Sequence, residues 1–173
     1  QCPACGQFEA NAGPTVAALA DQGKIQWVIR PTTFLGRNLG TDHSARATAA
    51  FGCAIDAGVG VKYKDIVYAN QPEREGNGWT DEELLAFGEQ AGLEGADYDS
   101  FEKCYTDREY VTWAVNSTDA VLRGGIGGTP SLKLNGEDLD TAIAYDPEAL
   151  AKAVEEAEPG SIDAEEQEDA EPA

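Results

Sequence analysis

Cys2-Pro3-Ala4-Cys5 places two sulfurs within one helical turn of each other at the head of the chain. Pro3 has no N–H to lose and a φ already near the helical value, so it suits the first turn of a helix. The residues that follow, GQFEANAGPTVAALAD, are alanine-rich, with Phe8, Val16 and Leu19 as inward positions. They predict a helix that starts at the cysteines, runs to about Asp21 and is kinked by Pro14. A C-x-x-C pair can be half a zinc site, a structural staple or a redox centre. Structural zinc needs four ligands, yet Cys53 and Cys104 are far apart and the single histidine is His43. A staple between Cys2 and Cys5 would close a very short loop, which constrains the unfolded chain least. Redox chemistry remains, because a helix N-terminus offers unpaired N–H groups and the positive end of its dipole to a thiolate. On this reading Cys2 is the exposed nucleophile and Cys5, one turn later, the shielded resolving thiol. No metal and no organic cofactor is expected.

Further along, the β-branched and aromatic run KIQWVIR predicts a buried strand over 25–29. LGRNLGT, residues 35–41, predicts a glycine-punctuated loop. Helices are predicted from Asp42 to Gly58, and then up to Pro72, with Tyr63, Ile66 and Val67 at helical spacing. Thr80 and Glu83 form a capping box that opens DEELLAFGEQAG. A short helix around YDSFEKCYTD and a longer one in REYVTWAVNSTDAVLRGG follow. Residues 131–134 predict a strand, Asn135-Gly136 a hairpin turn and 139–143 a second strand or loop, and Pro147 opens a last helix. From Glu158 onward there are seven acids and no base, with too few large apolar groups to offset ordering entropy, which predicts disorder. The order implies an α/β domain: a small sheet covered by helices, with a helical block inserted midway.

The second informative element is Gly127-Gly128-Thr129-Pro130 ahead of a strand. Alone it is an ordinary turn. Joined to an N-terminal CPAC on a helix and an Asn-Gly hairpin, it resembles the thioredoxin superfamily. The helical block between Asp42 and Arg123 is similar to that of the DsbA-like thiol–disulfide oxidoreductases. The resemblance spans about residues 2–157. It implies a thioredoxin-like α/β fold, a central mixed sheet flanked by helices, with an inserted helical domain. Residues 1–41 and 124–157 would build the thioredoxin-like part and 42–123 the insertion continuing into a long helix, leaving 158–173 as an acidic tail. It also implies that Thr129 and a cis Pro130 lie against the cysteines and, with Pro3 and Ala4, hold an extended substrate segment. Members of the family carry a strand directly before the C-x-x-C, with a buried acid near the resolving cysteine. Gln1 alone stands there, so the strand is lost to trimming, or the numbering starts late, or the sheet lacks that member. Strong oxidants of the family often have histidine where this chain has Ala4, so a milder oxidant is expected.

Cys53 and Cys104 each lie in an apolar helical pattern, AAFGCAI and FEKCY. The favoured reading is a structural disulfide stapling two helices, as some actinobacterial-type relatives carry. A relay disulfide and two buried free thiols are the alternatives. His43 reads as a surface or capping residue at a helix start rather than a base. Trp27, Trp79 and Trp113 read as packing aromatics, with Trp79, beside the glycine-rich EREGNGW loop, the one best placed to reach a substrate groove.

The reading that results is an extracytoplasmic thiol–disulfide oxidoreductase that introduces disulfides into exported proteins through Cys2 and Cys5. Its expected partners are unfolded or reduced exported proteins and a membrane redox partner that reoxidises it, with the enzyme itself a monomer. Rival readings are a reductase or isomerase using the same cysteines, and a non-catalytic peptide-binding or chaperone module using the cis-proline groove. A detoxifying isomerase of the same fold is disfavoured, since such proteins replace the cysteine pair with a single serine or cysteine. The formal charge of −20 disfavours nucleic acid and anionic membrane surfaces. The chain has neither methionine nor a signal-like apolar start, so it reads as a mature or trimmed product, secreted or held at the cell envelope by a segment outside this sequence.

Overall fold

A computed structural model of the 173-residue chain describes residues 1–160. The acidic tail expected over 158–173 therefore lies, from Ser161 on, outside the described residues. The chain divides into two compact units. One comprises Arg30–Gly125 together with Gln1, and the other Cys2–Ile29 together with the described residues from Ile126 on.

The second of these units carries the cysteine pair. Helix α1 (Pro3–Asn11) begins at the C-x-x-C and α2 (Gly13–Asp21) continues it. The break falls at Ala12 because Pro14 cannot donate back into the preceding turn. Ala12 closes α1 by donating to Phe8 O (2.8 Å), and Val16 opens α2 by donating to Ala12 O (3.1 Å). Phe8, Ala12 and Val16 face inward with Leu150, and Ile25, Trp27, Leu132, Leu139 and Tyr145 pack around them. Strands β1 (Lys133–Leu134) and β2 (Glu137–Asp138) pair antiparallel across Asn135-Gly136. Both turn residues have positive φ, 52° and 84°, as a tight hairpin turn of the right twist requires. Lys133 and Asp138 bridge the strands at 2.7 Å, and Asn135 Nδ2 donates to Glu158 O at 2.7 Å. Helix α10 (Pro147–Glu156) opens at Pro147 as predicted, and Asp146 accepts from the N–H groups of Glu148 and Ala149 at its start.

Two expectations in this unit are corrected. Residues 25–29 are not a buried strand. Val28 is 41% exposed, and among the described residues the only sheet is the β1–β2 hairpin. A β-rich composition gives a strand only where a neighbour completes the ladder, so the sheet among the described residues is small, two antiparallel strands. Where a second strand or loop is expected over 139–143, residues 141–144 form a one-turn helix, α9 (Thr141–Ala144), because Asp140 caps it by accepting from Ala142 N at 2.7 Å.

The other unit is helical. Helix α3 (Phe34–Leu39) replaces the expected loop, ending on Gly40 at φ +68° with the Gly36 N–H held by Ser44 Oγ at 3.1 Å. Helices α4 (His43–Asp56), α5 (Gly60–Ala69), α6 (Asp81–Ala91), α7 (Gly95–Thr106) and α8 (Val111–Arg123) follow the predicted order. The capping box at Thr80 and Glu83 is formed reciprocally, at 3.2 and 2.8 Å. The core of the unit contains Tyr63, Leu84, Phe87, Phe101 and the Cys53–Cys104 pair. Those two cysteines form a disulfide between α4 and α7, with Cα atoms 5.8 Å apart.

Candidate dithiol site

Cys2 occupies the N-cap of α1 with extended backbone (φ −69°, ψ 121°), Pro3 follows in the first turn, and Gly6 N–H closes that turn on Cys2 O at 3.2 Å. Cys5 is three residues in, at the position whose N–H points back toward an N-cap side chain. Both cysteines are thiols and both are partly exposed. The Thr129–Pro130 peptide is cis. It meets the cysteines directly, since the Cys2 thiol donates to Thr129 O at 3.5 Å across 127 residues of chain. Pro3 is exposed and Ala4, Thr129 and Pro130 are half-buried.

The two sulfurs differ in ionisation. At Cys2 partial burial opposes the thiolate. The Cys5 backbone N–H, the Thr129 and Cys5 side chains and the Ala4 N–H outweigh it, and the thiol lies below its ordinary range. At Cys5 burial dominates and pushes the thiol up to about 12, Thr129 opposing and the nearby Cys2 adding to the rise. One helical turn thus holds an acidic sulfur and a shielded, protonated one.

Tyr145 also reaches this turn, and no local motif signals it. Its hydroxyl donates to Ala4 O at 3.0 Å, and its ring stands edge-on to Phe8, with centroids 6.0 Å apart. His43 and Trp79 lie in the helical unit. His43 Nδ1 donates to Gly76 O at 3.1 Å. Trp79 is buried, 6% exposed, with its indole N–H on Asn70 O at 2.8 Å, so it packs in the core instead of facing a groove. Among the described residues no group of three or more His, Cys, Asp or Glu side chains is placed to hold a metal.

Two thiols thus stand at a helix start beside a Thr–cis-Pro turn, on a scaffold of thioredoxin type. Residues 1–156 match the thioredoxin family, and the chain belongs to it. Among solved structures, oxidised DsbA of Mycobacterium tuberculosis superposes with a TM-score of 0.73 at 23% identity, over 90% of this chain and 76% of that one. MdbA, a thiol–disulfide oxidoreductase of Actinomyces oris, gives 0.73 at 20% identity, over 90% and 75%. DsbG of M. tuberculosis gives 0.66 at 22% identity, over 90% and 72%. The chain therefore has the DsbA-type thiol–disulfide oxidoreductase fold. No curated protein matches it in sequence.

Proposed function

We propose that this protein is a thiol–disulfide oxidoreductase acting in the oxidase direction on exported proteins, with Cys2 as nucleophile and Cys5 as resolving thiol. In the oxidised enzyme a substrate thiolate attacks Cys2 Sγ, the Cys2–Cys5 bond breaks, and Cys5 leaves and takes up a proton. A second substrate thiolate then attacks the substrate sulfur of the mixed disulfide and expels Cys2 as a thiolate. The substrate loses two electrons and two protons, and the dithiol gains the electrons. A membrane-associated oxidant would then restore the disulfide.

The observation that carries this reading is the split ionisation of the two sulfurs. A sulfur of low pKa leaves readily, which favours release of Cys2 at the second step. A Cys5 held protonated by burial is slow to attack the mixed disulfide, which disfavours return of the substrate unoxidised and disfavours the reductase direction. Pro3, Ala4, Thr129 and Pro130 surround Cys2 and would receive the extended substrate segment. With Ala4 between the cysteines no imidazolium assists the thiolate, so the expected oxidant is a mild one. The Cys53–Cys104 disulfide supports a site of action outside the cytoplasm, since such bonds persist in oxidising compartments. Among the described residues no helix is long and apolar enough to cross a membrane.

The test is oxidation of a reduced, unfolded disulfide protein with glutathione disulfide as terminal oxidant. Cys2→Ser should abolish the catalysed rate, and Cys5→Ser should accumulate the mixed disulfide. Full activity in Cys2→Ser would transfer the function to peptide binding. A Cys2–Cys5 potential as low as that of thioredoxin, about −270 mV, would reverse the direction proposed.

A further inference from the structure

The Ala4 carbonyl and the Cys5 N–H are opposite ends of one peptide group. In a helix the N–H points toward the N-terminus and the carbonyl away from it. This amide therefore directs its N–H toward the N-cap residue Cys2, whose thiol makes no capping hydrogen bond in the thiol form, while its oxygen receives the Tyr145 hydroxyl at 3.0 Å. A hydrogen bond accepted at an amide oxygen polarises the group and makes its N–H a stronger donor.

We propose that Tyr145 is a positioning residue of the dithiol site, its hydroxyl acting through the Ala4–Cys5 peptide group to orient and strengthen the donor that holds the Cys2 thiolate. The placement of the residue is fixed from three sides. Its backbone is the C-cap of α9, with Tyr145 N–H on Thr141 O at 3.2 Å. The next residue, Asp146, caps α10, and the ring is held against Phe8 of α1. The hydroxyl therefore meets the first turn of α1 from a braced side chain. Of the groups that lower the Cys2 thiol, the Cys5 backbone N–H is the foremost. Burial, and then the charges of Cys5 and Cys2, raise the Tyr145 phenol, so it stays a neutral donor while Cys2 ionises.

The inference rests on Cys2 working as a thiolate in the proposed function, and its test reads that thiolate directly. In reduced Tyr145→Phe, which keeps the ring against Phe8, the 240 nm thiolate titration of Cys2 should move to higher pH. A strengthening of about 10–30% of one charge-assisted hydrogen bond corresponds to about a twofold effect. At a pH above both midpoints, the equilibrium with glutathione should shift about twofold against the reduced form, about 9 mV more reducing at about 30 mV per tenfold. An unchanged midpoint in a folded Tyr145→Phe protein overturns the assignment. If that variant does not fold, 3-fluorotyrosine placed at position 145 supplies a stronger donor of nearly the same shape. The midpoint should then fall, and no movement overturns the assignment equally. A shifted midpoint in a protein that fails to oxidise substrates would leave Tyr145 as assigned and sink the proposed function instead. Intact oxidation with an unmoved midpoint would do the reverse.

Discussion

Cys2 and Cys5 are the same residue type three positions apart, and hydrogen-bond donors at the one and burial at the other make them chemically unlike. Cys2 lies at the mouth of the helix where N–H groups converge on it, whereas Cys5 is one turn inside, where desolvation dominates. Only the thiolate alkylates. Iodoacetamide labelling of the reduced protein across pH should therefore show Cys2 reacting from below the ordinary thiol range upward. Cys5 should stay unreactive until the pH approaches about 12. Peptide mapping of each cysteine checks this, and a single shared midpoint would contradict the division of roles. Thr129 belongs to the same scale, since its side chain favours the thiolate at both sulfurs.

At the scale of elements, helix α4 packs so closely against the start of α8 that one of its positions must lack a side chain. A Cβ at Gly52 would lie 2.5 Å from Cγ of Tyr110 and 2.9 Å from its Cβ, the fixed end of that side chain. Tyr110 has little room to yield, because its hydroxyl is on Asp56 Oδ2 at 2.6 Å and its ring stands against Trp113, with centroids 5.6 Å apart. Gly52→Ala is therefore expected to destabilise the protein by about 1–3 kcal/mol through overpacking, even though alanine is the better helix former. Urea unfolding measures this, and a gain in stability would refute the packing argument. The same scale shows why 25–29 is not a strand. Its composition is suitable, but a ladder needs a partner at hydrogen-bonding distance.

For the whole molecule, the Cys53–Cys104 bond closes a span of 51 residues within the helical unit. In the chain-entropy model a loop of that size contributes about 4 kcal/mol. The double variant Cys53→Ala/Cys104→Ala should lose stability of that order in urea unfolding while retaining the Cys2 reactivity. Cys53 and Cys104 are only 1% and 9% exposed, so under mild reduction of the oxidised protein the Cys2–Cys5 pair should open first and the helical disulfide last. Timed thiol counting follows this, and simultaneous opening of both pairs would contradict it.

How much of this was legible in the sequence depended on the reach of each interaction. The helix start at Cys2-Pro3, the break near Pro14, the Thr80–Glu83 box, the Asn135-Gly136 turn and the helix opening at Pro147 are all written in a few consecutive residues. Each rests on backbone geometry or a hydrogen bond that closes within about one turn, so spacing and residue type determined them before any folding. The helix at 34–39, the irregular run at 25–29, the burial of Trp79 and the Tyr145–Ala4 bond were decided by the tertiary structure alone. Burial, long-range pairing and the ionisation they impose depend on neighbours brought in from distant parts of the chain. Ala4 and Tyr145 are 141 positions apart in the chain, and neither carries a local trace of that contact.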